Sequence, residues 1–279
     1  MILHVLHLGL VPYDTALHLQ RTLLQLRKAA RIDNTLLLLE HPPVITLGRN
    51  AKLDHVLASP EFLAKRGVEL FEIDRGGDVT FHGPGQLVAY PIFDLRSFEP
   101  KVGAVEFVRR LEEVLIRTCS DFAIATQPIK GMTGVWTYAL RNQPEAKIAA
   151  IGVHISRGVT THGFALNVST DLDYFTLIVP CGLTGKPVTS MELELQKSLT
   201  VDEVAIATSR NFGRVFQSQM LWLESLDDLL AQTPAPSREP EPLHDGSQPE
   251  VMHTPANQDI PARLPKELRG LHRDGSELS

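Results

Sequence analysis

The chain has 279 residues, a formal net charge of −6 at pH 7 and 43% hydrophobic residues. That composition suits a soluble globular body of one large or two small domains. It argues against a protein that grips nucleic acid by bulk charge, and no run approaches the roughly 18 apolar residues of a membrane helix. The opening residues, MILHVLHLGLVPYD, carry no basic lead-in and no small-residue cleavage pattern, so no secretory signal is expected. Two cysteines, Cys119 and Cys181, cannot form a disulfide framework or a thiolate zinc site on their own, and a cytoplasmic setting is the expectation.

In chain order, residues 2–8 alternate and predict a strand. Residues 14–30 carry Leu17, Leu19, Leu23, Leu24 and Leu26 among polar residues, an amphipathic helix. Short apolar runs at 36–39 and 44–47 are separated by His41-Pro42-Pro43, which no helix tolerates. Val105, Val108, Leu111 and Leu115 recur at helical spacing, placing a helix within 102–119 with Cys119 packed in the core. Residues 148–168 read as paired strands with a turn at Arg157-Gly158. Residues 202–217 and 221–230 read as closing helices. The mixture predicts an α/β or α+β fold built on a mixed sheet. A catalytic domain is expected over 1–230. The remaining 231–279 hold eight of the 19 prolines and no aromatic residue, the composition of a disordered tail.

Three segments look chemical. Residues 75–86, RGGDVTFHGPGQ, pack four glycines with an Arg, a His and a Gln. This reads as a bulged hairpin, as backbone brought close to a ligand, or as both, since bulges often sit beside sites. Its spacing matches neither phosphate-loop pattern. In residues 147–168 a lysine opens an apolar run. Taken alone Lys147 faces water at a strand start; pointing inward it would have to bear the desolvation of its ammonium. His162 before Gly163 reads as a ligand-contacting group or a polar loop residue. In Val179-Pro180-Cys181-Gly182 a thiol sits on a sharply turning backbone, where it is either an inert core residue or an exposed nucleophile. A thiol with a pKa of roughly 8.5 needs a neighbouring cation or base. His82 and His162 are the default partners on chemistry alone, and Lys147 qualifies only if partly buried.

Together the three segments resemble the lipoyl(octanoyl) transferase family. The residues that carry the resemblance are Arg75-Gly76-Gly77 with Thr80, His82-Gly83-Pro84-Gly85-Gln86, Lys147-Ile148 with Gly152, His162-Gly163, Leu166-Asn167-Val168 and Pro180-Cys181-Gly182. Order and spacing fit over roughly residues 1–225. One departure is Phe81, where the family usually has tyrosine. The resemblance implies the mixed sheet flanked by helices of biotin protein ligase and lipoate ligase catalytic domains. It maps a catalytic pair onto Cys181 and Lys147, displacing the Cys–His default. Substrate contacts map onto Arg75, Gly76, Gly77, Asp78, Val79, Thr80, Phe81 and His82, onto Ala150, Ile151 and Gly152, and onto Gly163, Phe164 and Ala165. No metal and no cofactor is implied.

The implied donor is octanoyl-acyl carrier protein. The implied acceptors are lipoyl domains of 2-oxoacid dehydrogenase E2 subunits and the glycine cleavage H protein, with neither nucleic acid nor membrane as a partner. An ATP-dependent lipoate or biotin ligase of the same fold is the alternative; it needs no cysteine nucleophile. A cysteine hydrolase and a non-catalytic lipoyl-domain binder are more distant ones. Arg49, Arg75, Lys130, Arg141 and Arg157 form a candidate dock for an acidic carrier, set against a plain scatter of solvated charges.

Overall fold

The structure is a computed structural model and describes residues 1–139, 144–179 and 186–231. The proposed tail beyond 231 lies outside the described residues, as do Cys181 and Arg141. An eight-stranded mixed sheet runs in the order β11-β1-β2-β6-β10-β9-β8-β7. Its strands are β1 (Ile2–Leu10), β2 (Thr35–Glu40), β6 (Gln86–Ile92), β7 (Thr126–Ile129), β8 (Met132–Thr137), β9 (Lys147–Ser156), β10 (Val159–Asn167) and β11 (Gln219–Trp222). A small sheet, ordered β4-β3-β5, is made of β3 (Val44–Leu47), β4 (Glu69–Glu72) and β5 (Val79–His82).

Both faces of the large sheet are covered, which explains why β2 reads as an unbroken apolar run rather than an alternating one. Leu36 and Leu38 turn to a core formed with α3 (Ala104–Asp121) and α5 (Val201–Val215), where Phe107, Leu111, Val204 and Phe212 pack. Leu37 and Leu39 turn the other way, onto Leu19 and Leu23 of α1 (Tyr13–Lys28) and Leu226 of α6 (Leu226–Ala231). The short α2 (Pro60–Lys65) covers the small sheet through Leu63, and α4 (Met191–Leu195) places Met191 in the larger core. Cys119 is fully buried in that core, and burial pushes its thiol up to about 12. It packs in the core, as expected.

Two expectations fail. The helix predicted over 221–230 is split: residues 219–222 pair in parallel with the free edge of β1, and a helix starts only at Leu226. An open sheet edge overrides local periodicity there. Residues 75–86 are not a hairpin either. β5 pairs with β3 and β6 with β2 and β10, so the Gly83-Pro84-Gly85 turn carries the chain from one sheet to the other. The Gly85 N–H anchors the turn by donating to Glu40. The β9–β10 hairpin forms as predicted, with Arg157 and Gly158 both at positive φ (52° and 85°), the geometry of a tight two-residue turn. No described helix is long and apolar enough to cross a membrane.

Candidate active site

The inter-sheet turn holds the small sheet against one face of the large one, and a cavity of about 330 Å³ lies between them. Arg75, Gly77, Asp78, Thr80 and His82 line it from the small-sheet side. Lys147, Ala150, Ile151, Gly152, His162, Gly163, Phe164 and Ala165 line it from β9 and β10. Sequence thus picked out most of the wall. Strand alternation corrects the remainder: Val79 and Phe81 point away from the cavity into the core of the small sheet. The Phe81 ring stacks on Tyr174 at 4.6 Å. Gly76 is absent from the lining and donates its N–H to Val153 O. Phe164 stacks its ring on Phe212 in the opposite core, so it gives the cavity backbone only.

Arg75 is no surface dock. It is buried and spreads its guanidinium over the carbonyls of Thr46, Gly76 and Asp78 and the Thr46 hydroxyl, clamping its own loop. Gly152 lets that loop sit directly on β9, because a Cβ there would stand 2.7 Å from Gly76 O. Arg49, Lys130 and Arg157 are exposed, which both a carrier dock and a solvated scatter require.

Lys147 overturns the surface reading. It is only 7% exposed, lines the cavity, and holds its Nζ 4.8 Å from the centre of the Trp136 ring. His82 is fixed differently. Its Nδ1–H donates to Gln86 Oε1 (2.8 Å), Gln86 Nε2 donates to Asn167 Oδ1 (2.9 Å), and Asn167 Nδ2 donates to Thr189 O (2.9 Å). Burial drives the His82 pKa down to about 3, so the ring is neutral with a lone pair on Nε2. His162 arises from a ladder defect. Pro91, inside β6, has no N–H for β10, and His162 beside this gap adopts a φ of 54°. Its N–H is taken by Gln20 Oε1 of α1 (2.7 Å), and its Nε2–H donates to Asp74 (2.8 Å). Burial lowers the His162 pKa, while that hydrogen bond draws Asp74 down to about 2; the pair is a neutral imidazole on a carboxylate.

Sequence reasoning missed Tyr13, Asn50, Val88, Tyr90, Met132 and Thr133 in the lining. It also missed His41, which donates from Nδ1 to Val11 O and accepts at Nε2 from the Tyr90 hydroxyl. Isolated aromatics in apolar elements carry no local signal; His41 before two prolines was the one available hint. Among the described residues no three His, Cys, Asp or Glu side chains converge as a metal site needs.

The segment that carries Cys181 is held at both described ends. Val179 donates to His55 O (2.8 Å), and the His55 ring donates to Asp78 in the cavity wall (2.6 Å). Beyond it, Lys147 N–H donates to Pro187 O and Lys147 O accepts from Thr189 N–H, each at 2.9 Å.

The mixed sheet flanked by helices, with a cavity between it and the small sheet and Lys147 buried in the cavity wall, is the fold shared with lipoate protein ligases. A family model described as the lipoyl protein ligase A/B catalytic domain matches residues 12–213. The octanoyltransferase of Koribacter versatilis is 60% identical over 276 residues, 99% of either chain. That of Acidobacterium capsulatum is 60% identical over 239 residues, 83% of this chain and 97% of the relative. Among solved structures, a bi-partite lipoate protein ligase from Thermoplasma acidophilum superimposes with a TM-score of 0.65 over 83% of this chain and 91% of that one; at 17% identity this speaks for the fold alone. The chain belongs to the lipoyl(octanoyl) transferase family, whose members are acyltransferases.

Proposed function

We propose that this protein transfers an octanoyl group from the thioester of an acyl carrier protein to the Cys181 sulfur, and from there to a lysine of a lipoyl domain. In the first half, the Cys181 thiolate attacks the carrier thioester carbonyl, the new C–S bond forms and the carrier thiolate leaves. One thioester replaces another, so little free energy changes. In the second half, the neutral amine of the acceptor lysine attacks, the amide C–N bond forms, the C–S bond to Cys181 breaks, and the proton shed by the nitrogen goes to the departing sulfur. That step is downhill and needs no nucleotide. Lysines of 2-oxoacid dehydrogenase E2 lipoyl domains and of the glycine cleavage H protein are the proposed acceptors. A free thiol nucleophile suits a reducing compartment, so we place the reaction in the cytoplasm.

One observation carries the assignment of the pair. Lys147 is buried in the cavity wall, and its own backbone grips Pro187 and Thr189, on the far side of the segment that bears Cys181. On the near side, two peptide links join Cys181 to Val179, a span of at most about 7.6 Å between Cα atoms. A buried ammonium beside a thiol favours the thiolate. Arg75, Gly77, Asp78, Thr80, His82, Ala150, Ile151, Gly152, Gly163 and Ala165 are the proposed acyl and carrier-arm contacts. Each methylene buried there contributes about 0.8 kcal/mol, which selects eight carbons over much shorter chains.

The test is intact-mass measurement after incubation with octanoyl-carrier protein and no ATP. A hydroxylamine-sensitive octanoyl adduct mapping to Cys181, chased onto a lipoyl domain, is the expected result. Strict dependence on ATP with no adduct would replace this reading with the ligase; free octanoate without need of an acceptor would replace it with a hydrolase.

A further inference from the structure

We infer that strand β8, through Gly134 and Trp136, is a purpose-built seat that aims Lys147 into the cavity, and that both are positioning residues for acyl transfer. The inference rests on the Cys181–Lys147 reading above and assigns what makes that lysine usable. The starting point is a fault in the strand alternation. Along β9, Ala149, Val153 and Ile155 turn to the core under α3 and α5, whereas Ala150 and Gly152 turn to the cavity. Simple alternation would therefore drive Lys147 into the apolar core. The pairing register shows why it does not. Val135 faces Ala149, but Trp136 faces Lys147, so one step on β8 spans two on β9 and Ile148 is the extra residue of a bulge. Ile148 joins the core and Lys147 changes face.

The bulge alone does not provide room for the lysine stem. Gly134 sits at φ +122°, and a Cβ there would stand 2.5 Å from Ala149 O and 3.3 Å from Lys147 Cε. The missing side chain is the slot through which the stem passes. At its end the ammonium lies over the Trp136 ring, itself 1% exposed and tied by its Nε1–H to Met132 O (3.2 Å). A ring face attracts a cation and holds it. The seat thus holds the head of Lys147 on the cavity side of β9.

The test uses the full chain and reads the rate at which iodoacetamide alkylates Cys181 as a function of pH, with peptide mapping to exclude the buried Cys119. Alkylation needs only thiolate, so it stays measurable when transfer is lost. Trp136→Leu is expected to raise the apparent thiol pKa by about one unit, a tenfold loss of thiolate at neutral pH and the scale of a desolvated cation–π contact. Trp136→Phe, which keeps a ring face, should recover most of it. In a Lys147→Ala background the same Trp136 substitutions should shift nothing further. A Trp136→Leu effect of equal size with and without Lys147 would make the ring merely structural and overturn the seat, as would no effect at all. Gly134→Ala, if it folds, should behave like Trp136→Leu; if it does not fold, the Trp136 series decides. Should Lys147→Ala itself leave the thiol pKa unmoved, the catalytic pair fails first, a result distinct from failure of the seat.

Discussion

On the small-sheet wall of the cavity His82 is held by a relay of hydrogen bonds through Gln86 and Asn167, neutral and with its free nitrogen fixed. On the large-sheet wall Lys147 is held by a strand bulge, a missing side chain and the face of Trp136. The first device fixes a tautomer and stabilises the fold through satisfied buried groups. The second fixes a charge where packing alone would exclude it. The two walls therefore differ in kind: one is a rigid polar surface, and the other carries the lysine to which the proposed mechanism gives the task of assisting a thiol.

That division breaks if the wrong wall controls the thiol. Lys147→Ala should slow formation of the octanoyl adduct by about 10²- to 10⁴-fold, the range of a lost positioned acid or base, and raise the apparent pKa of Cys181. His82→Ala should leave that pKa in place. Single-turnover mass spectrometry across pH tests both, and the reverse pattern would assign the base to His82.

The stability effects should run the opposite way. Gln86→Leu strands His82 Nδ1–H and Asn167 Oδ1 in the interior, a loss of about 3 kcal/mol in urea unfolding. Lys147→Met replaces a buried charge by a side chain of similar length and should stay within about 1 kcal/mol of the parent, or exceed it. Equal losses in the two variants would show that both walls are simply structural.

Acid should expose the same contrast. Burial holds the folded pKa of His82 at about 3 and of His41 at about 4, against about 6.5 in the unfolded chain. The unfolded state therefore binds more protons below pH 6.5, and stability falls as pH drops through that window toward the folded values. With two such histidines the slope reaches about 2.7 kcal/mol per pH unit. Urea midpoints at pH 7, 6 and 5 measure it, and a flat profile would mean that the rings are not buried neutral.

The parts legible in the sequence were those with local causes. The leucine spacing of α1, the turn at Arg157-Gly158 and the glycine-rich 75–86 segment all declared themselves. So did most cavity residues, through the family pattern they share. The failures have non-local causes. Period-two reading cannot place Lys147, because the bulge at Ile148 is set by the register with β8. The short strand 219–222 exists only because β1 leaves an edge open. Tyr13, His41 and Tyr90 converge from three separate elements, and nothing in any one of them announces the others.

The smallest expected effect concerns Phe81, where the family usually has tyrosine. The resemblance would put this side chain at the acyl site, where phenylalanine lacks the hydroxyl. The ring instead lies on the far face of β5, stacked on Tyr174 and edge-on to Phe175 at 5.6 Å. Its tip abuts the inter-sheet turn, where a Cβ on Gly83 would stand 2.5 Å from Phe81 Cζ. Phe81→Tyr should therefore keep kcat/KM for the octanoyl donor within about threefold, since no cavity contact changes. The added hydroxyl enters a dry, packed site and should cost about 1 kcal/mol unless the turn shifts to receive it. A thermal shift without a kinetic one is the expected signature. A tenfold change in KM at unchanged stability would mean that this ring reaches the substrate after all, and that the small-sheet wall is deeper than the geometry of β5 allows.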